Sequence, residues 1–224
     1  MRVSNIRRAY HNGEHNAFTD LCQFQDRLYL AFRSCPTGHG ISPQASVIVL
    51  SSSDGNHWEQ VHRVQVRNRD TRDPHFLVFG EKLFVYTGTW YCPTDKDEQH
   101  TLNRHLGYAA WTEDRRKWES PVMLDGTYGH YIWRAAAHDG KAYLCGRRIR
   151  EFVDAPRSDR RLVESAMLES DDGLVWKKRG LFQTTMGNET AFLFEPDGQV
   201  LSVSRLNSDQ AILGRSKPPY DAWD

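Results

Sequence analysis

Ser52-Ser53-Asp54-Gly55-Asn56-His57-Trp58 carries a pattern, S-x-D-G-x-x-W, that returns twice further along the chain. Ser170-Asp171-Asp172-Gly173-Leu174-Val175-Trp176 repeats it, and Thr112-Glu113-Asp114-Arg115-Arg116-Lys117-Trp118 is a copy that lacks the glycine. Asp-Gly favours a tight turn, because Gly accepts a positive φ and Asp hydrogen-bonds its own backbone. The three Trp residues lie about 60 residues apart, a regular spacing that indicates structural repeats.

A pair of short β-rich runs around a turn recurs between these turns. The four copies occupy 21–32, 76–86, 135–145 and 191–203. Each copy has the signature of a β-hairpin, and no amphipathic helix interrupts the series. Four repeats of a small sheet predict an all-β fold, a β-propeller of four-stranded antiparallel blades, since one such sheet cannot bury both faces alone. A β-sandwich is the alternative, but it needs no regular reuse of one turn.

The predicted blades fall at 16–65, 66–125, 126–182 and 183–224, and we treat residues 1–224 as a single propeller domain. Lys and Arg together number 29, as do Asp and Glu, so the formal charge is zero. This balance argues against a general nucleic-acid partner. No apolar run approaches the roughly 18 residues that span a bilayer, so no membrane partner is expected.

The N-terminus is basic but lacks the apolar core of a signal peptide, which predicts a cytoplasmic location for the chain as written. The four cysteines are widely spaced and form no CxxC pair, so we predict no metal site. No cofactor is predicted either.

Overlaying the four hairpins brings charged residues to equivalent positions. The positions after the second strand of each hairpin are Arg33, Gly88, Arg147 and Arg205. Those at the start of the first strand are Asp20, Asp73, Arg134 and Glu189. The innermost strands of a propeller line its central channel, so these residues are expected to converge there, either as a binding site or as a ring of salt bridges that closes the channel.

Such a cluster suits a ligand that carries a carboxylate. Arginine binds a carboxylate bidentately, and a carboxyl group in the same cleft can act as a base or, when protonated, as an acid. Trp90, Tyr131 and Trp133 fall near the loops between blades. They could stack on sugar rings, with ordinary core packing as the alternative.

The turns resemble the Asp boxes of the sialidase superfamily, and the whole chain is most similar to bacterial BNR-repeat, exo-sialidase-like proteins. Arg33 in Ala31-Phe32-Arg33 resembles the first arginine of the carboxylate-binding triad. The segment 188–205 resembles the part of the family that carries a glutamate and the second arginine, and the segment from His39 to Pro43 is also similar. The resemblance implies that Glu189 activates a tyrosine nucleophile and that Arg205 holds the substrate carboxylate.

Sialidase propellers have six blades, so the resemblance implies that four of an expected six are present and that the chain is truncated. The tyrosine nucleophile and the third arginine are then expected beyond Asp224. Gln44 stands where related proteins have the acid/base aspartate, and an amide cannot donate a proton in that role. This departure keeps open a second hypothesis, a non-catalytic glycan-binding propeller.

A third hypothesis starts from Arg72-Asp73-Pro74, which resembles the R-D-P of five-bladed furanosidases. Asp20, Asp73 and Glu189 would then act as nucleophile, transition-state stabiliser and general acid.

We therefore predict a sialidase-like glycoside hydrolase that cleaves or recognises a terminal acidic sugar, with a glycan as its partner. The candidate catalytic residues are Glu189 and Asp73. The candidate substrate-binding residues are Arg33, Arg72, Arg134, Arg205, Asp20 and His39. Replacing Arg33 with Ala is expected to abolish ligand binding whether or not the protein is an enzyme.

Overall fold

Strands form where the repeated hairpins predict them. The computed structural model describes residues 4–94, 101–153, 159–206 and 210–224. Within these ranges, four antiparallel sheets follow one another along the chain, each built from consecutive strands. The predicted all-β propeller is confirmed: the sheets are arranged as four blades. Three blades have four strands, and the fourth has three strands in the described residues.

The strand bounds follow the chain order. The first sheet contains β1 His15–Phe24, β2 Arg27–Cys35, β3 Ser46–Ser52 and β4 Glu59–Val64. The second contains β5 Arg69–Phe79, β6 Lys82–Tyr91, β7 Leu106–Thr112 and β8 Val122–Met123. The third contains β9 Tyr131–His138, β10 Lys141–Ile149, β11 Val163–Ser170 and β12 Lys177–Gln183. The fourth contains β13 Thr190–Phe194, β14 Val200–Arg205 and β15 Ala211–Ser216.

Helical structure in the described residues is limited to single 3₁₀ turns. They lie at Leu102–Arg104, Arg150–Phe152 and Arg160–Leu162. None of the helices in this part of the chain has the length and apolar character needed to cross a membrane.

The first strand of each sheet lies nearest the centre. β1 contacts β5, β5 contacts β9, and β9 contacts β13, so the four inner strands follow one another around the propeller. Three of them carry a β-bulge at which a residue other than glycine has a positive φ: Phe18 at 58°, Asp73 at 51° and Arg134 at 44°. A bulge bends its strand and re-aims a side chain, so the same local device recurs in three blades.

Apolar layers between consecutive sheets form the core. Tyr29 and Val49 of the first sheet pack with Val85 of the second, and Tyr86 of the second packs with Leu144 of the third. A third layer joins β10 and β11 to the fourth sheet through Met167, Phe192 and Val200. Burial of these side chains favours the stacking of one sheet on the next.

The three turns of the S-x-D-G-x-x-W pattern are closed by the same arrangement of internal hydrogen bonds. Ser52 Oγ accepts from the Gly55 N–H at 2.9 Å, and Asp54 Oδ1 accepts from the N–H groups of Asn56 and His57 at 2.8 Å. The His57 N–H is the main cause that holds the pKa of Asp54 well below its usual range. Asp54 is therefore a fixed acceptor that keeps the turn closed.

The other two turns repeat this pattern. Asp172 Oδ1 accepts from Leu174 and Val175, and Asp114 Oδ1 accepts from Arg116 and Lys117. In the copy that lacks glycine, Arg115 takes the positive φ, 67°, and its N–H donates to Thr112 Oγ1.

Trp58 of the first turn packs on Phe32, Ile48 and Leu50 of its own sheet. The later Trp residues reach back to the preceding sheet. Trp118 stacks on His62 with ring centroids 5.0 Å apart, and Trp176 meets Tyr86 edge-on at 5.6 Å. Trp223 packs on Phe182 in the same way, at 4.9 Å. These three Trp residues therefore tie the second, third and fourth blades to the blade before each of them.

Candidate active site at the centre of the propeller

The inner strands of the first three sheets open onto one central cavity of about 630 Å³, which Glu189, just before β13, and Arg205 of β14 complete. Phe18 of β1 and Arg72 and Asp73 of β5 line it on one side. Tyr131 and Trp133 of β9, Arg147 of β10, and Glu189 and Arg205 of the fourth sheet line it on the other. Carboxyl groups and guanidinium groups thus meet in a space large enough for a sugar ring.

Asp73 is the carboxyl group set deepest in this arrangement. Its backbone is in the left-handed region at the β5 bulge, a conformation that costs free energy and concentrates at functional sites. The Tyr131 hydroxyl donates a hydrogen bond to Asp73 Oδ2. Burial raises the pKa of Asp73, and the nearby Glu189 carboxylate adds to that shift, while Tyr131 and Arg72 oppose it.

Tyr131 is a buried phenol, and its burial together with the Asp73 charge raises its pKa well above the usual value. The phenol therefore stays protonated and acts as a donor to Asp73. A protonated carboxyl in such a setting can itself give a proton to a leaving group.

Glu189 and Arg205 form an open ion pair at the start of the fourth sheet. Arg205 Nη1 lies 2.7 Å from Glu189 Oε2, and their side chains are 63% and 48% exposed. The Arg205 N–H also donates to the Glu189 carbonyl oxygen at 2.8 Å, so the backbone fixes the two residues relative to each other. Both charged groups remain accessible from the cavity.

Arg33, in contrast to Arg205, is fully buried and does not line the cavity. Its side chain has no exposed area, and its Nε and Nη2 atoms each lie 3.0 Å from a different carboxylate oxygen of Asp70. It also donates to the carbonyl oxygens of Gly38 and Gly40, at 3.0 and 2.8 Å. The structure therefore does not bring Arg33 to the cavity with the other predicted residues; its guanidinium group is occupied by Asp70 and by the loop between β2 and β3.

Arg72 connects that buried pair to the cavity. Its Nη2 atom donates to Asp70 Oδ2 and to the carbonyl oxygens of Gly40 and His39, the last at 3.3 Å. Its guanidinium carbon also lies 5.7 Å from the centre of the Phe18 ring. Arg72 thus lines the cavity while its guanidinium group is held by Asp70 of β5 and by the loop between β2 and β3.

Of the remaining predicted site residues, His39 lines the cavity, and Asp20 and Arg134 do not. His39 lines the cavity, with its ring against His15 and Phe18 at centroid distances of 5.2 and 5.4 Å. Asp20 lies outside the cavity lining: its Oδ2 atom accepts the Phe76 N–H at 2.8 Å and thereby ties β1 to β5.

Arg134 is exposed at the β9 bulge and is also outside the cavity lining. Its charge reaches His75, whose pKa is lowered to about 3, mainly by burial and further by Arg134. The predicted site residues are thus divided: Arg72, Asp73, His39, Glu189 and Arg205 line the cavity, whereas Arg33, Asp20 and Arg134 do not.

The repeats do not single out three residues of this arrangement. Asp70 lies two positions before Arg72 in the same strand, and no sequence pattern marks it. Tyr131 is predicted only to stack on a sugar or to pack in the core, and nothing in the repeats identifies Asp73 as its partner. Arg147 has a place in the overlay of the hairpins but is not among the predicted site residues; its guanidinium carbon lies over the rings of Tyr131 and Trp133, at 5.7 and 5.4 Å.

Trp90 and Trp133 contribute to both core and cavity. Their exposed fractions are 4% and 9%, and both line the central cavity. Packing therefore accounts for most of their surface, and only a small part of each ring faces the space where a sugar would lie.

Metal-binding side chains are not grouped in the described part of the chain. Nowhere in residues 4–94, 101–153, 159–206 and 210–224 do three or more His, Cys, Asp or Glu side chains come together in a way that could hold an ion.

Comparison with known proteins identifies the architecture. No protein-family model and no curated protein sequence matches the chain. Among solved structures, it is similar to a family 117 glycoside hydrolase of the marine bacterium Zobellia galactanivorans, with a TM-score of 0.67, 14% identity, and coverage of 100% of this chain and 73% of that one.

Two sialidases are similar to a comparable degree. For the Trypanosoma rangeli sialidase in complex with the inhibitor DANA, the TM-score is 0.69 at 15% identity, and for the Hadza microbial sialidase Hz136 it is 0.72 at 13%. The alignments cover 94% and 93% of this chain but only 38% and 46% of those sialidases, so the chain spans less than half of their length. The chain therefore shares its β-propeller fold with sialidases and with a glycoside hydrolase.

Proposed function

We propose that this chain carries the sugar-binding centre of a glycoside hydrolase that acts on a terminal acidic sugar. The observation that carries the proposal is the meeting of Asp73, with its raised pKa, and the Glu189–Arg205 pair in one cavity. Glycoside hydrolysis generally uses two carboxyl groups, one protonated and one ionised, on either side of the bond that is cleaved.

Asp73 is the proposed general acid. Its carboxyl group donates a proton to the glycosidic oxygen as the bond between that oxygen and the anomeric carbon breaks, and the bonding electron pair stays with the oxygen. The hydrogen bond from Tyr131 fixes Oδ2, so the proton is carried on the other oxygen. Burial favours the neutral form from which this donation starts.

Glu189 is the proposed second carboxylate. Arg205 holds it in place at 2.7 Å, and its exposed position lets it take the proton of a water molecule that attacks the anomeric carbon. Proton transfer by a positioned carboxylate contributes about 10²–10⁴-fold to a rate.

The acidic group of the sugar would meet the arginines of the cavity. Arg72, Arg147 and Arg205 all line it, and a guanidinium group binds a carboxylate with two parallel hydrogen bonds. Arg33 is not part of this proposal as a ligand, because its donors are directed at Asp70, Gly38 and Gly40.

The test is hydrolysis of a panel of 4-methylumbelliferyl glycosides, covering sialic acid, glucuronic acid and their neutral counterparts. We expect at least one acidic glycoside to be cleaved, and Asp73→Asn and Glu189→Gln each to lower kcat by about 10²-fold or more with the fold intact.

Matched controls come from similar residues elsewhere. Asp139→Asn removes the charge of an exposed aspartate that also has a positive φ, and Glu59→Gln breaks the ion pair with Arg27 far from the cavity. Both should retain full activity. Binding of an acidic sugar by calorimetry without hydrolysis of any glycoside would contradict the hydrolase and favour the glycan-binding alternative.

The three-carboxylate alternative has less support. Asp20, its nucleophile, accepts a backbone hydrogen bond from Phe76 and lies outside the cavity lining. Asp20→Asn is therefore expected to lower stability more than it lowers kcat.

A further inference from the structure

A second cleft lies beside the central cavity, between the third and fourth sheets. Its volume is about 480 Å³, and its lining includes Arg147, Arg160, Glu189 and Arg205. Three of these four residues also line the central cavity, so the two spaces adjoin each other across a shared wall. Arg160, in the 3₁₀ helix Arg160–Leu162, lines the side cleft and does not line the central cavity.

The described lining of this cleft has an excess of positive charge. It contains three arginines and one carboxylate, that of Glu189, which pairs with Arg205. A concave surface with charge of one sign raises the local concentration of ligands of the opposite sign.

Arg147 is held in a fixed orientation in the wall between the two spaces. Its guanidinium group lies over the faces of Tyr131 and Trp133, and its Nη1 atom lies 3.3 Å from Asn188 Oδ1. Contacts from β9 and from the segment before β13 therefore orient it in advance, which lowers the entropy lost when it binds an anion.

Leu102 and Val163 supply the apolar part of the cleft. A sugar ring presents both an apolar face and polar edges, so a space with two apolar side chains and several fixed donors suits a second sugar unit better than a bare inorganic ion.

We propose that the side cleft is a subsite for an oxyanion, a carboxylate or a sulfate ester, on the sugar next to the one held in the central cavity. The preferred ligand is then a polyanionic glycan with charge on consecutive sugars. This inference rests on the proposed function, since it takes the central cavity to hold the terminal sugar.

The experiment compares Arg160→Gln with Arg161→Gln. Arg161 is the adjacent residue of the same 3₁₀ helix; it pairs with Asp159 at 3.0 Å and does not line the side cleft. The probes are a diuronide with its neutral disaccharide counterpart, and a 6-O-sulfated disaccharide with its unsulfated parent, measured by isothermal titration calorimetry.

We expect the wild-type chain to bind an anionic probe more tightly than its neutral partner. Arg160→Gln should weaken binding of that anionic probe about tenfold or more and leave the neutral one unchanged, as loss of a charge-assisted hydrogen bond would. Arg161→Gln should bind like the wild type. The two pairs of probes show whether the oxyanion is a carboxylate or a sulfate.

Three results would overturn the subsite: no preference of the wild-type chain for either anionic probe, equal effects of the two substitutions, or equal loss of anionic and neutral binding in Arg160→Gln. The outcome is separable from that of the hydrolase proposal. Loss of activity in Asp73→Asn without any effect of Arg160→Gln would support the hydrolase proposal and contradict the subsite. Selective binding of an anionic probe that depends on Arg160, without hydrolysis of any glycoside, would support the subsite and contradict the hydrolase proposal.

Discussion

Arg33 and Arg205 occupy matching places near the ends of the second strands of the first and fourth sheets, and each pairs with a carboxylate. The Arg33–Asp70 pair has no exposed side-chain surface, whereas Arg205 is 63% exposed. Arg33 pairs with the first strand of the next sheet, and Arg205 pairs with the residue just before the first strand of its own. One pair joins two blades, and the other is available to a ligand.

The covering loop explains this difference. Between β2 and β3, the carbonyl oxygens of Gly38 and Gly40 accept from Arg33, and the Ser42 N–H donates to Asp70 at 2.9 Å. The pair is thereby enclosed with its hydrogen-bonding groups satisfied, as a buried charge requires. An equivalent position in a repeat thus indicates where a charge lies, while the neighbouring loop decides whether that charge supports the fold or meets a ligand.

The largest effect expected from this comparison is on stability. Arg33→Ala should lower the free energy of unfolding by about 3 kcal/mol, the lower end of the range for breaking a buried ion pair, because Asp70 keeps Arg72 as a partner. Arg205→Ala should lower it by less than about 1 kcal/mol, as expected for an exposed pair. Urea unfolding curves measure both values, and equal losses would remove the distinction between the two arginines.

A smaller effect is expected on binding. Arg205→Ala should weaken binding of an acidic sugar about tenfold, because the ligand loses a charge-assisted hydrogen bond. Arg27→Ala, which removes a partly exposed arginine–glutamate pair in the first sheet, is the control and should bind normally. Calorimetric titration of both variants checks this, and the ligand role of Arg205 would be wrong if the two variants bound equally well.

The smallest expected effect is the change in stability with pH that Asp73 causes. Asp73 lines the cavity together with Arg72, which contacts the buried Arg33–Asp70 pair, and with Arg205 of the exposed pair. The raised pKa of Asp73 means that the folded chain binds its proton more tightly than the unfolded chain, so stability falls as the pH rises through the folded pKa. Asp73→Asn should therefore be more stable than the wild type at pH 7. The advantage should disappear below about pH 4, where the unfolded aspartate is also protonated.

Thermal unfolding at pH 7, 5 and 3.5 measures this difference between the two proteins. A variant less stable than the wild type at pH 7 would show that the charged form of Asp73 is favoured in the folded state. Asp139→Asn serves again as the control for the loss of an aspartate that also has a positive φ.

The architecture could be predicted from the sequence because its signals are local. The Asp of each turn accepts N–H groups only two and three residues ahead, and the hairpins need only short runs of β-forming residues. Such patterns remain visible in a single chain. They predicted four sheets in the right order.

The site could be predicted only in part, because its geometry depends on contacts between distant segments. The left-handed backbone of Asp73 and Arg134 is uncommon for residues other than glycine and is set by the bulges of the inner strands. The partner of Asp73, Tyr131, lies 58 residues away in the next sheet. Burial of Arg33 requires the loop that folds over it, which no periodicity reveals.

The fourth sheet gives the site a further property. One of its faces packs on the third sheet, while Leu193, Val203 and Leu213, each from a different strand, are 52%, 47% and 59% exposed. Glu189 and Arg205 stand at the beginning of this sheet and at the end of its middle strand. A ligand that bridges them to Asp73 and Arg72 would bind only while the sheet is in place, so it would stabilise the folded state by mass action, by about 2.7 kcal/mol at a concentration 100 times its Kd. Ligand binding should therefore slow hydrogen exchange in β13 and β14, because the bound ligand stabilises the folded state of the fourth sheet.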